Sequence, residues 1–335
     1  MKTLSFEEIK SITLGANRFE EINGELFFRR FSEKETVLYE TAGKNRGYST
    51  AGIKLSFVTN SENLYLKINT SPVIARTYFS FDIYSDLEYV GSLTNFTDEE
   101  AAGEYTKMCF PLGVFDGKFK LPFGTKNLTI HFPHSLEASL IEMAIDDGAS
   151  IEPIKYDKKI LIYGDSITQG YDALHPSKRY AAKLSDALNA EEINKAVGGE
   201  VFNPRLSELK VDFKPDYITA AYGTNDWTNT EKDVFFARAE GFFKALAKNY
   251  PDTPIFALAP VWRADCDNTT CYGKFSEIPE AIKKATAGLS NVKFISAIDF
   301  IPHEKCMFGD GFLHPNDQGF DFYFKALLDK INEKK

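Results

Sequence analysis

The sequence predicts two fold classes in succession. An all-β sandwich, jelly-roll-like, is expected over residues 1–154, and an α/β domain built on a parallel sheet over residues 155–335. Three observations carry this reading. From about residue 25 to 150 apolar side chains recur with period two, and no long amphipathic helix lies among them. From about residue 157 apolar strands alternate with helically spaced segments. Between them lies Glu152-Pro153-Ile154-Lys155-Tyr156-Asp157, which reads as a linker. A chain of 335 residues suits two domains, at roughly 100–200 residues each.

In the first half Ile53, Leu55 and Phe57 alternate with Lys54 and Ser56. Leu64, Leu66 and Ile68 alternate with Tyr65 and Lys67, Phe79, Phe81 and Ile83 with Ser80 and Asp82, and Leu128, Ile130 and Phe132 with Thr129 and His131. These are half-buried strands separated by Gly, Asn, Asp and Ser, the pattern of a sandwich or jelly roll. In the second half Lys159–Tyr163 is an apolar strand ending at Gly164, and Tyr180, Ala181, Leu184, Ala187 and Leu188 have helical spacing. A strand near Ile193 and a buried strand Asp216–Tyr222 come next, then a helix through Val234, Phe235, Phe242, Phe243 and Leu246. Strands at Pro254–Ala259 and Val292–Ile295 and a closing helix near Phe320–Ile331 complete the βαβ pattern.

Composition narrows the function classes. Hydrophobic residues make up 43% and charged residues 26%, a globular balance, and the net charge of −9 argues against nucleic-acid or anionic-membrane partners. The polar start Met1–Lys10 has no apolar h-region, so a cytoplasmic protein is expected. No apolar run approaches the roughly 20 residues of a membrane span. Cys109, Cys266, Cys271 and Cys306 do not have zinc-site spacing; Cys266 and Cys271 are near enough in sequence to pair, but free thiols are expected. No His, Asp and Glu ligand cluster stands out, so neither metal nor cofactor is expected.

The chemistry sits where an open α/β sheet binds ligands, at the carboxyl ends of the strands. Gly164-Asp165-Ser166-Ile167-Thr168-Gln169-Gly170 follows the first strand. A serine at such a strand-to-helix turn can project its hydroxyl from the sheet edge; an ordinary capping serine is the alternative, and the loop does not match the GxxxxGK[ST] phosphate pattern. Gly223-Thr224-Asn225-Asp226 follows the strand ending at Tyr222, and Asn225 can donate its amide to an oxyanion. Asp310-Gly311-Phe312-Leu313-His314-Pro315-Asn316 offers an imidazole with a carboxylate close by. Val197-Gly198-Gly199-Glu200, after the strand near Ile193, offers an unobstructed backbone N–H. Nucleophile, base and oxyanion donors are what acyl transfer requires.

In this order and spacing the four blocks resemble the SGNH (GDSL-type) hydrolase superfamily over roughly residues 157–335. The resemblance implies a flavodoxin-like three-layer α/β/α domain and a metal-free serine esterase. It assigns Ser166 as nucleophile, His314 as general base, and Ser166 N–H, Gly199 N–H and the Asn225 side chain as oxyanion donors, with Gly198 the lesser choice. The acid partner usually stands three residues before the histidine. Here Gly311 occupies that place and Asp310 lies four before, so either the loop bulges and Asp310 still orients His314, or a backbone carbonyl supports a Ser-His dyad. Asp310 is expected to be the acid partner. Asp165 and Asp226 are expected to tie their loops by side-chain-to-backbone bonds.

An N-terminal jelly roll joined to such a domain resembles carbohydrate esterases that remove acetyl groups from polysaccharides. A small-molecule or oligosaccharide ester is therefore the expected substrate. Trp262 and Arg263, beyond another strand end, are candidate substrate contacts, packing of the Trp into its loop being the alternative. His175 follows the nucleophile helix closely enough to line the pocket or to sit on the surface. Phe27, Phe28, Tyr39, Tyr65, Tyr78 and Phe79 are either a sugar platform or core. A thioesterase or lysophospholipase, or a carbohydrate-binding protein with a vestigial site, stay as alternatives.

Overall fold

Period-two alternation builds two antiparallel sheets, each of six strands. The computed structural model describes residues 1–39, 41–101 and 108–333, with residues 41, 42 and 98 described in backbone only. In one sheet the spatial order is Arg18–Ile22, Glu25–Arg29, Leu136–Ile145, Asn63–Pro72 and Val114–Lys120, with Lys2–Thr3 pairing on Leu136–Ile145. In the other it is Glu152–Pro153, Lys54–Thr59, Lys126–His131, Ser80–Ser85 and Glu88–Thr94, with Thr13–Leu14 pairing on Lys54–Thr59. Asn63–Pro72 alternates strictly, with Leu64, Leu66 and Ile68 buried. The edge strand Val114–Lys120 carries Asp116, Lys118 and Lys120, charges that discourage edge-to-edge pairing. Inside, Phe28 and Phe81 each pack edge to face on Phe132 with centroids 4.8 Å away, and Phe79 meets Phe115 at 5.1 Å. Phe28, Phe79 and Tyr78 are therefore core and present no face to a sugar, and Tyr39 is buried as well.

Alternation fails on several strands, among them Ser80–Ser85 and Lys54–Thr59. Ser80 and Asp82 should face water, yet both are buried, because segment Leu174–Ser177 lies over them in the same compact unit. Asp82 accepts from Ser177 N–H (3.0 Å), Ser177 Oγ (2.6 Å) and His175 Nδ1 (2.8 Å). His175 thus belongs to the sandwich as a partner of Asp82. Lys54 is buried too, with its Nζ 3.3 Å from the Tyr156 hydroxyl.

The second unit holds a five-stranded sheet, all parallel. Its order is Ala190–Asn194, Lys158–Gly164, Tyr217–Ala221, Ile255–Leu258 and Val292–Ile295. In chain order that is 2-1-3-4-5, the flavodoxin-like arrangement. Helices on both faces explain why Ile160, Leu161 and Ile162 are all buried in succession. The helices Tyr180–Ala187, Lys232–Asn249 and Asp317–Asn332 fall where helical spacing placed them. Ile278–Ala285 is a further helix, burying Ile278, Ile282 and Ala285 along one stripe.

The two units do not divide at a single point in the chain. One comprises Met1–Ser32, Lys44–Tyr156 and Leu174–Ser177; the other comprises Glu33–Gly43, Asp157–Ala173 and Lys178–Lys335. Inside the second unit Glu35 forms a buried ion pair with Lys195 (2.8 Å), just before the Val197–Glu200 block. All four cysteines are free thiols. Among the described residues no helix is long and apolar enough to cross a membrane.

Candidate active site

The central strand Lys158–Gly164 runs directly into a one-turn helix, Ser166–Gln169. Gly164 is required at the junction: a Cβ there would lie 2.2 Å from Thr168 Oγ1 and 3.0 Å from the Ala221 carbonyl. Asp165 caps the helix, accepting from Ile167 N–H at 3.0 Å, and Gly170 ends it at φ +114°. Burial raises the Asp165 carboxyl to about 7, against the pull of the Ile167 N–H and the Arg263 charge. Ser166 therefore stands at the first helical position, 4% exposed, with its Oγ 2.8 Å from His314 Nε2.

His314 is delivered by a loop that folds around one carboxylate. Asp310 Oδ1 accepts from the N–H groups of Phe312 (2.9 Å), Leu313 (2.7 Å) and His314 (3.1 Å), and Oδ2 lies 2.7 Å from His314 Nδ1. Gly311, at φ +66°, makes the left-handed turn that lets a carboxylate four residues away reach back to the ring. Burial pushes the Asp310 carboxyl up, but the hydrogen bond and charge of His314 and the loop N–H groups outweigh it and hold it at about 2. With Nδ1–H given to Asp310, Nε2 carries the lone pair and the Ser166 hydroxyl donates to it.

Two further blocks converge by hydrogen bonding. Val197–Glu200 is a turn closed by Glu200 N–H to the Val197 carbonyl (3.1 Å), with Gly199 at φ +80° in the third position, as a type II turn requires. Gly198 N–H is taken by Gln169 Oε1 at 2.9 Å, whereas among the described residues no acceptor meets Gly199 N–H or Ser166 N–H. Asn225, on helix Thr224–Asn229, gives one amide hydrogen to the Glu200 carbonyl at 3.0 Å, joining the two loops. Asp226 accepts from Phe202 N–H at 3.2 Å, so both loop carboxyls make the side-chain-to-backbone ties the sequence suggested.

Trp262 and Arg263, the candidate substrate contacts, have different surroundings. Arg263 is buried and spent: its guanidinium meets Asp265 (2.5 and 3.1 Å), the Thr224 carbonyl (3.1 Å) and Thr224 Oγ1 (3.2 Å), and lies over the Trp227 and Phe312 rings. It braces the Asn225 loop from behind. Trp262 stacks on His303 with centroids 5.3 Å apart and lines a cavity of about 700 Å³ with Cys266, Phe275 and Ile298; the lining includes none of Ser166, Asp310 or His314.

Two neighbours of His314 carry no sequence signal of their own. The Tyr171 ring lies 5.5 Å from the imidazole, and Asp172 Oδ2 lies 3.9 Å from Nδ1. Asp172, Asp310 and His314 are the group among the described residues whose metal-ligand type atoms come within 4.8 Å of one another. At 2.7 Å, however, Nδ1 and Asp310 Oδ2 meet as hydrogen-bond partners. A hydroxyl bonded to an imidazole whose far nitrogen meets a carboxylate is the arrangement of nucleophilic acyl transfer.

Residues 162–322 match the GDSL-like Lipase/Acylhydrolase family. The fold is similar to that of a candidate GDSL-like lipase from Bacteroides ovatus (21% identity, 99% of this chain and 97% of that one, TM-score 0.78). It is similar to the salicylyl-acyltransferase SsfX3 of a tetracycline biosynthetic pathway (20% identity, 94% and 92%, TM-score 0.76). It is also similar to a family two carbohydrate esterase from Cellvibrio japonicus (15% identity, 99% and 97%, TM-score 0.66). No curated protein matches the sequence.

Proposed function

We propose that this chain, an SGNH (GDSL-type) hydrolase by its residues 162–322, is a serine esterase that removes short acyl groups, acetyl foremost, from carbohydrates. One observation carries the mechanism: the unbroken path from Ser166 Oγ through His314 to Asp310, at 2.8 and 2.7 Å. Ser166 attacks the ester carbonyl as His314 Nε2 takes its proton, and Asp310 stabilises the imidazolium that forms. The oxyanion sits against Ser166 N–H, Gly199 N–H and Asn225 Nδ2. His314 returns the proton to the leaving sugar alcohol, then activates the water that frees the acid. Asp310, held at about 2, stays ionised at any pH where His314 is a working base.

Support for the carbohydrate reading is architectural. Likeness to a family two carbohydrate esterase spans 99% of this chain, the sandwich included. The reading is tested with p-nitrophenyl acetate, butyrate and octanoate, acetylated xylo- and cello-oligosaccharides, and acetyl-coenzyme A. Acetyl esters should turn over in clear preference to octanoyl, and acetylated sugars should release acetate. Equal or faster turnover of octanoate or of the thioester would overturn the carbohydrate assignment. Full activity in Ser166→Ala would overturn the mechanism.

A further inference from the structure

We infer that Asp172 is a second carboxylate serving His314: a positioning residue that, with Asp310, holds the imidazole and stabilises its charged form during acyl transfer. The inference rests on the reading of Ser166 and His314 as nucleophile and base.

Geometry places Asp172 for this task. Its Oδ2 is 3.9 Å from His314 Nδ1, within ion-pair range and too long for a hydrogen bond, while Asp310 Oδ2 makes the hydrogen bond to the same nitrogen. The Asp172 side chain is wholly buried, so little solvent screens it from the ring. Titratable and polar groups set against the imidazole include Ser166 on Nε2, Asp310 and Asp172 on Nδ1, and the Tyr171 ring.

The backbone is strained to put it there. Asp172 has φ +71°, and of the five non-glycine residues with positive φ among the described residues it is the buried one; Asn23, Asp86, Leu87 and Asn189 are exposed. Strain retained at a buried polar position points to use. The segment cannot easily relax, because Tyr171 N–H bonds the Ser166 carbonyl (2.9 Å) and Ala173 N–H the Gly170 carbonyl (3.1 Å). The facing loop makes room: a Cβ on Gly309 would fall 2.7 Å from Asp172 Cβ. Two loops are thus shaped around one carboxylate that the Ser166–His314–Asp310 chain does not itself require.

The sign of the effect is fixed. A carboxylate at this distance favours the imidazolium, so its removal should lower the titration midpoint of His314, by about 1 unit for an opposite charge this close. Asn and Gly both accept the left-handed backbone, so Asp172→Asn and Asp172→Gly should fold. Histidine ring NMR on the full chain, with the His314 resonance assigned from its loss in His314→Gln, reads the midpoint directly. In both variants it should fall by about 1 unit. On p-nitrophenyl acetate the acid limb of kcat/KM should move down with it, and kcat should fall about tenfold with KM within about twofold, the pattern of a group acting mainly in the transition state. An unmoved midpoint, or a limb that stays in place while kcat falls, overturns the inference. An inactive wild-type enzyme with a shifted midpoint would count against the esterase reading instead.

Discussion

Asn225 holds two positions at once. One amide hydrogen ties its loop to the Glu200 carbonyl, and the proposed mechanism assigns the other to the developing oxyanion. A donor that strengthens its bond mainly in the transition state acts on kcat, so Asn225→Ala should lower kcat by about 10²–10³ with KM little changed. Retention of more than about half of the wild-type kcat would assign Asn225 to loop-tying alone. Asp310 shows the same economy of position. One oxygen organises three backbone N–H groups, and the other meets the imidazole.

At the scale of the element, the Val197–Glu200 turn depends on what lies beneath it. Gly198 has no Cβ, and Tyr171 uses the space: an added methyl would meet its hydroxyl oxygen at 2.2 Å and Cζ at 2.6 Å. Tyr171 is buried and packs beside His314, so neither partner can yield without moving a piece of the site. Gly198→Ala should therefore displace either the Gly199 N–H or the imidazole. A misplacement near 1 Å costs on the order of 10²-fold in rate, and overpacking costs about 1–3 kcal/mol of stability. Steady-state kinetics and thermal melting on the same variant check both. Wild-type kcat and Tm in this variant would show that the turn has slack the structure does not show.

For the whole molecule, buried carboxyls pull stability in opposite directions with pH. Burial raises Asp226 to about 7, with the Asp165 charge adding to it and the Phe202 N–H opposing, and Asp165 is raised likewise. An unfolded Asp titrates near 3.9. The folded chain thus keeps protons that the unfolded chain loses, and stability present below about pH 4 drains away as pH rises to about 7. Asp310 and Asp82, both held at about 2, act in reverse: their contribution is present above about pH 4 and lost as pH falls toward 2. Asp226→Asn keeps an oxygen for Phe202 N–H but nothing to ionise. Its Tm should match wild type near pH 4 and exceed it increasingly up to pH 7.5. Parallel Tm curves across that range would rule out Asp226 as a source of the pH dependence.

What was legible in the sequence follows from what is local. Period-two runs mark strands because alternate side chains must enter one core, and Leu64, Leu66 and Ile68 do. Continuous apolar runs such as Ile160–Ile162 mark strands covered on both faces, and glycine-flanked blocks mark the turns that follow them. Ile278, Ile282 and Ala285 have helical spacing as well and form one buried stripe. Distances between segments far apart in sequence are another matter. That Asp310 reaches His314 from four residues away depended on the left-handed turn at Gly311. That Arg263 is consumed behind the Asn225 loop, that His175 is held by Asp82, and that Asp172 faces the imidazole were decided only when distant segments packed together. Local pattern sets which elements form and where glycine must stand; which charges meet is a property of the tertiary contacts, since a side chain's partner is chosen by space and not by neighbourhood in the chain.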